Sequence, residues 1–202
     1  LESNRKMAKL AFTTFAVTKK PFGDPLVLGF ERLVPAVFRE AEKALGYVDR
    51  ARGVDDSDSI SDADRDWGAW GKMVAPSFYD GGFEADSETR ASTLSIWESI
   101  EAVHQFAYTA TLHKRALAQR EKWFRVPDWP SYAMWWIGDD HVPTWAEAAE
   151  RLEYLYEHGS TATAFTFEAL FDSAKQPYKT ASILASHKHC GTKELGVGDL
   201  DG

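Results

Sequence analysis

Apolar and polar positions follow two rhythms along the chain: short apolar or alternating runs in some stretches, and a period near 3.6 in others. Lys9 to Val17, KLAFTTFAV, is an apolar run with Thr and Phe and no breaker, which predicts a first strand ended by Lys19-Lys20-Pro21. Asp24-Pro25 offers a side-chain cap followed by proline. Phe30, Leu33, Val34, Val37, Phe38, Ala41 and Leu45 then keep helical spacing as far as Gly46. Pro35 lies inside that pattern and is expected to kink or divide the helix, because it removes a donor and restricts Val34. Tyr47 begins a second strand. Arg90 to Trp97, RASTLSIW, alternates small polar with apolar residues and predicts another. After Glu98-Ser99 a long helix is expected to about Trp123, with Ile100, Val103, Ala107, Ala110 and Leu117 as its buried stripe.

The densest local order lies in residues 132–159. Tyr132 to Ile137 carry no charge, which suits a strand buried on both faces, and Gly138-Asp139-Asp140 breaks the run. Thr144 and Glu147 have capping-box spacing. Trp145, Ala149, Leu152 and Tyr156 recur on one helical face, with Leu155 beside them, and the helix closes at His158-Gly159. Ala164 to Phe171, AFTFEALF, reads as a closing strand.

Between these elements the signals weaken. Residues 53–66, GVDDSDSISDADRD, hold six aspartates and almost nothing to bury. They lack the central glycine and closing glutamate of an EF-hand loop and read as a solvated acidic loop. The stretch from Trp67 to Tyr79 suggests an irregular, aromatic-packed segment or a short strand, followed by a turn at Gly81-Gly82. Residues 1–6 are set aside as a leader or remnant, 7–172 form the expected domain, and 173–202 are expected to pack loosely.

Composition narrows the partners. A length of 202 residues suits one domain with a sizeable core. The formal charge of −8 argues against a nucleic-acid surface, because phosphate affinity comes from clustered Lys and Arg. One cysteine rules out an internal disulfide and points to the cytoplasm. No apolar run reaches membrane-spanning length. Eight tryptophans, twelve phenylalanines and seven tyrosines supply a core and leave room for an aromatic-lined pocket.

Three stretches carry a resemblance: WG-x4-P-x-F at Trp70 to Phe78, TLSIWESIEAVHQFAY at 93–108 continuing to His113 and Trp123-Phe124, and WWIGDDHVPTWAEAAERLEYLYEHG at 135–159. Together they resemble an uncharacterised domain family of the dimeric α+β barrel superfamily, related to antibiotic-biosynthesis monooxygenases. The similarity covers roughly Lys9 to Asp172; the acidic loop and the tail look like additions. The resemblance implies an α+β fold: a ferredoxin-like antiparallel sheet with helices on one face, paired with a second copy as a dimeric α+β barrel. A homodimer through the sheet also follows from physics, since an uncovered apolar sheet face needs a partner.

His141 follows two aspartates at a strand's end, where a carboxylate such as Asp139 holds one ring nitrogen and leaves the other for proton transfer. His113 belongs to the family pattern. His104 and Tyr108 lie one turn apart and can share a proton-donor role. Trp97, Trp136, Trp70, Phe12 and Tyr132 are the candidate substrate-binding aromatics. His187, His189 and Cys190 are ligand types in close order, but a metal site needs three or four ligands held in fixed geometry and the tail that carries them is expected to pack loosely; no nucleotide, serine-hydrolase or zinc-protease motif is present. The expected function is a cofactor-free, metal-free tailoring enzyme acting on an apolar aromatic or polyketide-like molecule, a monooxygenase first. The alternatives are an isomerase, cyclase or dehydratase, a non-catalytic small-molecule binder, and a haem protein.

Overall fold

A computed structural model describes residues 8–55, 62–79 and 88–179. Four strands, β1 (Lys9–Val17), β2 (Tyr47–Arg50), β3 (Arg90–Trp97) and β4 (Tyr132–Ile137), form one antiparallel sheet in the order β2-β3-β1-β4. Helix α1 (Leu28–Ala41) connects β1 to β2. Three helices, α2 (Ile100–Thr109), α3 (Thr111–Ala118) and α4 (Arg120–Trp123), lie between β3 and β4. Helix α5 (Trp145–His158) follows β4. The strand order and crossovers are those of the split βαβ, ferredoxin-like arrangement. The fold is therefore α+β with an open sheet rather than a closed barrel.

Register explains how the sheet is covered. Leu10 lies opposite Trp97 and Trp136, while Ala11 lies opposite Ile96 and Trp135. Neighbouring residues on a strand point to opposite sides. Leu10, Phe12, Trp97 and Met134 pack with Ile100, Val103 and Phe106 of α2 and Ala41 of α1. On the other side, Ala11, Trp135 and Ile137 pack with Trp145 and Ala148 of α5 and with Trp67, Trp70 and Met73. Phe15 and Ala133 extend that second layer against Leu152 and Leu155.

Helices therefore cover both faces, which corrects the expectation of helices on one. The cause is visible in β1 and β4, where consecutive positions are apolar and each side needs a cover. The bare face that motivated a sheet-to-sheet homodimer and barrel is occupied by α5 and the 67–78 segment of the same chain.

The long helix expected over 98–123 is three helices. Ala110 is extended, at φ −62° and ψ 129°, and breaks the path. Beyond it, the N–H groups of Leu112 and His113 donate to the Glu40 carboxylate at 3.0 and 3.1 Å. A side chain of α1 thus satisfies amides that the break would have orphaned. No residue of α3 is fully buried, so the expected stripe stops short of Leu117. Pro35 sits inside a continuous α1, which starts at Leu28 and ends at Ala41, before Gly46. Asp24 shapes the preceding turn, accepting from Leu26 N–H at 2.8 Å. Tyr156, expected on the buried side of α5, is half exposed, and Ala148 is buried instead. The closing strand is reduced to two isolated bridges, Phe165 with Met134 and Thr166 with Ala169, and a short hairpin, β5 (Leu170–Phe171) with β6 (Pro177–Tyr178).

Candidate functional site

At the end of β4 the chain turns, with His141 N–H donating to the Gly138 carbonyl at 3.1 Å. Thr144 then starts α5 by accepting from Glu147 N–H at 3.2 Å. That is one half of the capping box. The Glu147 carboxylate does not complete it and turns to three other groups. Trp135 Nε1–H donates to Oε1 at 2.8 Å, Arg151 reaches the same oxygen at 3.4 Å, and His141 Nε2 lies 2.7 Å from Oε2. Trp135 comes from the buried side of β4, and Arg151 lies one helical turn beyond Glu147. The Arg151 guanidinium also lies 5.9 Å from the Trp135 ring and donates to Thr163 O.

Burial raises the Glu147 carboxyl, but the hydrogen bonds from His141 and Trp135 and the charges of His141 and Arg151 outweigh this and hold it below the usual carboxylate range. A carboxylate facing Nε2 places the proton of a neutral imidazole there. Nδ1 is then a lone pair, with no bond to another described residue. The ring is about half exposed. The arrangement is a histidine oriented by a fixed carboxylate.

Asp139 does not hold His141; its carboxylate and carbonyl both take Lys9 Nζ at 2.9 Å. Glu147 fills the role expected of Asp139. Its sequence signal was read as helix capping, and the spacing from Glu147 to Arg151 is the local cue that pointed further.

A second group of the expected residues meets on the opposite side of the sheet. The rings of His104 and Tyr108 lie 4.7 Å apart, and those of Phe12 and Tyr132 lie 6.0 Å apart. Phe167 stands between the pairs, 5.2 Å from His104, 5.7 Å from Tyr108 and 5.6 Å from Tyr132. Its N–H also donates to the Tyr132 hydroxyl, whose proton affinity is raised by burial. Phe167 was not singled out in the sequence, and it fills the space the others enclose.

Trp97 stacks on Phe106 and donates to Ser95 Oγ. Trp136 donates to the Phe171 carbonyl at 2.7 Å. His113 donates from Nδ1 to Ala107 O at 2.8 Å, and burial pushes its ring below the usual histidine value despite that bond. Trp70 lies with Trp135 and Trp145 on the α5 side. The structure thus divides the candidates: His141 and Asp139 at the end of β4, Trp70 under α5, and the remainder on the α2 side.

Among the described residues no three His, Cys, Asp or Glu side chains gather as a metal site, and no helix is long and apolar enough to cross a membrane. His187, His189 and Cys190 lie outside the described residues.

An α+β protein with an oriented histidine at the end of its edge strand is the class these features define. Residues 9–181 match the family model described as Domain of unknown function (DUF3291), and the chain belongs to that family. The match spans the acidic loop and runs nine residues past Asp172. No curated protein and no solved structure matches the chain.

Proposed function

We propose that the protein is a proton-transfer enzyme acting on a small molecule, with Nδ1 of His141 as general base and Glu147 as the group that orients it. The observation that supports this reading is the 2.7 Å contact between His141 Nε2 and Glu147 Oε2, made by a carboxylate itself held by Trp135 and Arg151. A carboxylate so placed fixes the tautomer and stabilises the imidazolium formed when Nδ1 takes a proton. The bonds from His141 and Trp135, with the Arg151 charge, favour the ionised form of Glu147.

The substrate class is carried by the resemblance to antibiotic-biosynthesis monooxygenases: an aromatic or polyketide-like compound with an acidic C–H or O–H bond. Removal of that proton yields an electron-rich carbanion or phenolate, which either reacts with dioxygen or is reprotonated elsewhere. Cofactor-independent oxygenation is the first reading and isomerisation or cyclisation the second. A thermal-shift screen against phenols and anthrones finds the ligand, since binding to the native state raises apparent stability. Turnover is then compared in air and under strict anaerobiosis. Loss of turnover without oxygen supports the oxygenase, equal rates support the isomerase, and ligands that bind without turnover leave a carrier protein.

A further inference from the structure

An open cleft of about 240 Å³ lies where α1, the turn after it and the α2–α3 break meet, on the side of the molecule that carries Glu40 rather than Glu147. Ala44, Leu45, Ala102 and Phe106 give it apolar lining. Leu45 is 83 % exposed, the fate of a leucine with nothing to pack on. The backbone beside it lies close to α2: at Gly46, φ +78°, a Cβ would stand 2.7 Å from Ala102 Cβ. Gln105 and Thr111 supply uncharged polar groups at the margin.

Glu40 is the single ionisable residue in the lining. Leu112 N–H is shared between its two oxygens at 3.2 and 3.0 Å, and His113 N–H reaches Oε2 at 3.1 Å. A carboxylate has about four acceptor directions. The one left on Oε1 is presented by an oxygen whose position the α3 amides already fix. An anion is repelled here, and an uncharged apolar molecule leaves that direction unused.

We propose that this cleft is a second ligand site, for a small organic ammonium ion with an apolar body. The ammonium donates to Glu40 Oε1 while the body covers Phe106 and Ala102 against Leu45. This site is independent of His141 and of any reaction there.

The test is a titration of the ¹⁵N-labelled full chain with phenethylamine, read at the Leu112 and His113 amides. Saturable shifts of both amides are expected with phenethylamine and none with phenylpropionate, which has a similar body and the opposite charge. Ala44→Phe, which fills the cleft, is expected to abolish the shifts, and Leu45→Ser, which leaves Glu40 and its bonds to α3 in place, to weaken them. Glu40→Gln is expected to weaken binding roughly tenfold, the difference between a charge-assisted and a neutral hydrogen bond. Absence of saturation, equal binding of the carboxylate, or full binding by Ala44→Phe and Leu45→Ser would each overturn the site.

Discussion

Glu147 collects a ring from the β4 turn, an indole from inside the sheet layer and a guanidinium from its own helix. All three partners are donors, so an amide in its place must turn an NH2 toward one of them. Glu147→Gln is expected to cost about 1–3 kcal/mol in urea unfolding. His141→Ala, at a half-exposed ring, is expected to cost under about 1 kcal/mol and to abolish turnover. Acid adds a second test. The lowered Glu147 value means its contribution is complete above the ordinary 4.5 and lost as pH falls through the folded value. Buried His113 behaves likewise from its ordinary 6.5 downward, since the unfolded chain takes up the proton first. Melting temperature is therefore expected to fall in two stages on acidification. His113→Asn should remove the upper stage and Glu147→Gln the lower; a single unchanged transition in both variants would contradict the assignment. The position of His141 was legible because a histidine after a strand-ending turn is a local pattern. Its true partner was not, because the choice between Asp139 and Glu147 depends on Lys9, which is distant in sequence and claims Asp139 across the sheet.

At the scale of elements, β1, β3, β4 and α5 lie where the apolar pattern puts them, since each is specified by its own residues and, for α5, by the Thr144 cap. The 98–123 helix was not legible as three pieces, because the group that stabilises the break is Glu40, 72 residues before Leu112. The closing strand failed for a related reason: Phe165, Phe167 and Leu170 are as apolar as a strand requires but are spent on packing against the α2 side. Gly46 ties these elements together. Gly46→Ala meets both a positive φ and the Ala102 side chain, and is expected to cost more than about 1 kcal/mol in chemical denaturation. A neutral result would show that the α1–β2 turn can move away from α2.

Over the whole molecule, the high aromatic content builds two layers rather than one pocket. Phe12, Trp97, Phe106 and Phe167 fill the α2 side, and Trp67, Trp70, Trp135 and Trp145 fill the α5 side. Among the described residues both faces of the sheet are covered by the same chain, so a sheet-to-sheet dimer is not expected and sedimentation should return the single-chain mass of 22.7 kDa. A stable dimer protected from hydrogen exchange along β1 and β4 would contradict this. The site at the end of β4 stands on that closed frame, with Trp135 linking it to the layer beneath. There, Glu147 is proposed to fix His141 as the Nε2–H form and leave Nδ1 a free base. Ring-nitrogen NMR of ¹⁵N-histidine-labelled protein at mildly alkaline pH reads this without a substrate. His141 is expected to show a protonated Nε2 and a bare Nδ1, and Glu147→Gln to shift it toward a mixture of tautomers. A His141 signal with the proton on Nδ1, or one identical in the two proteins, would contradict it.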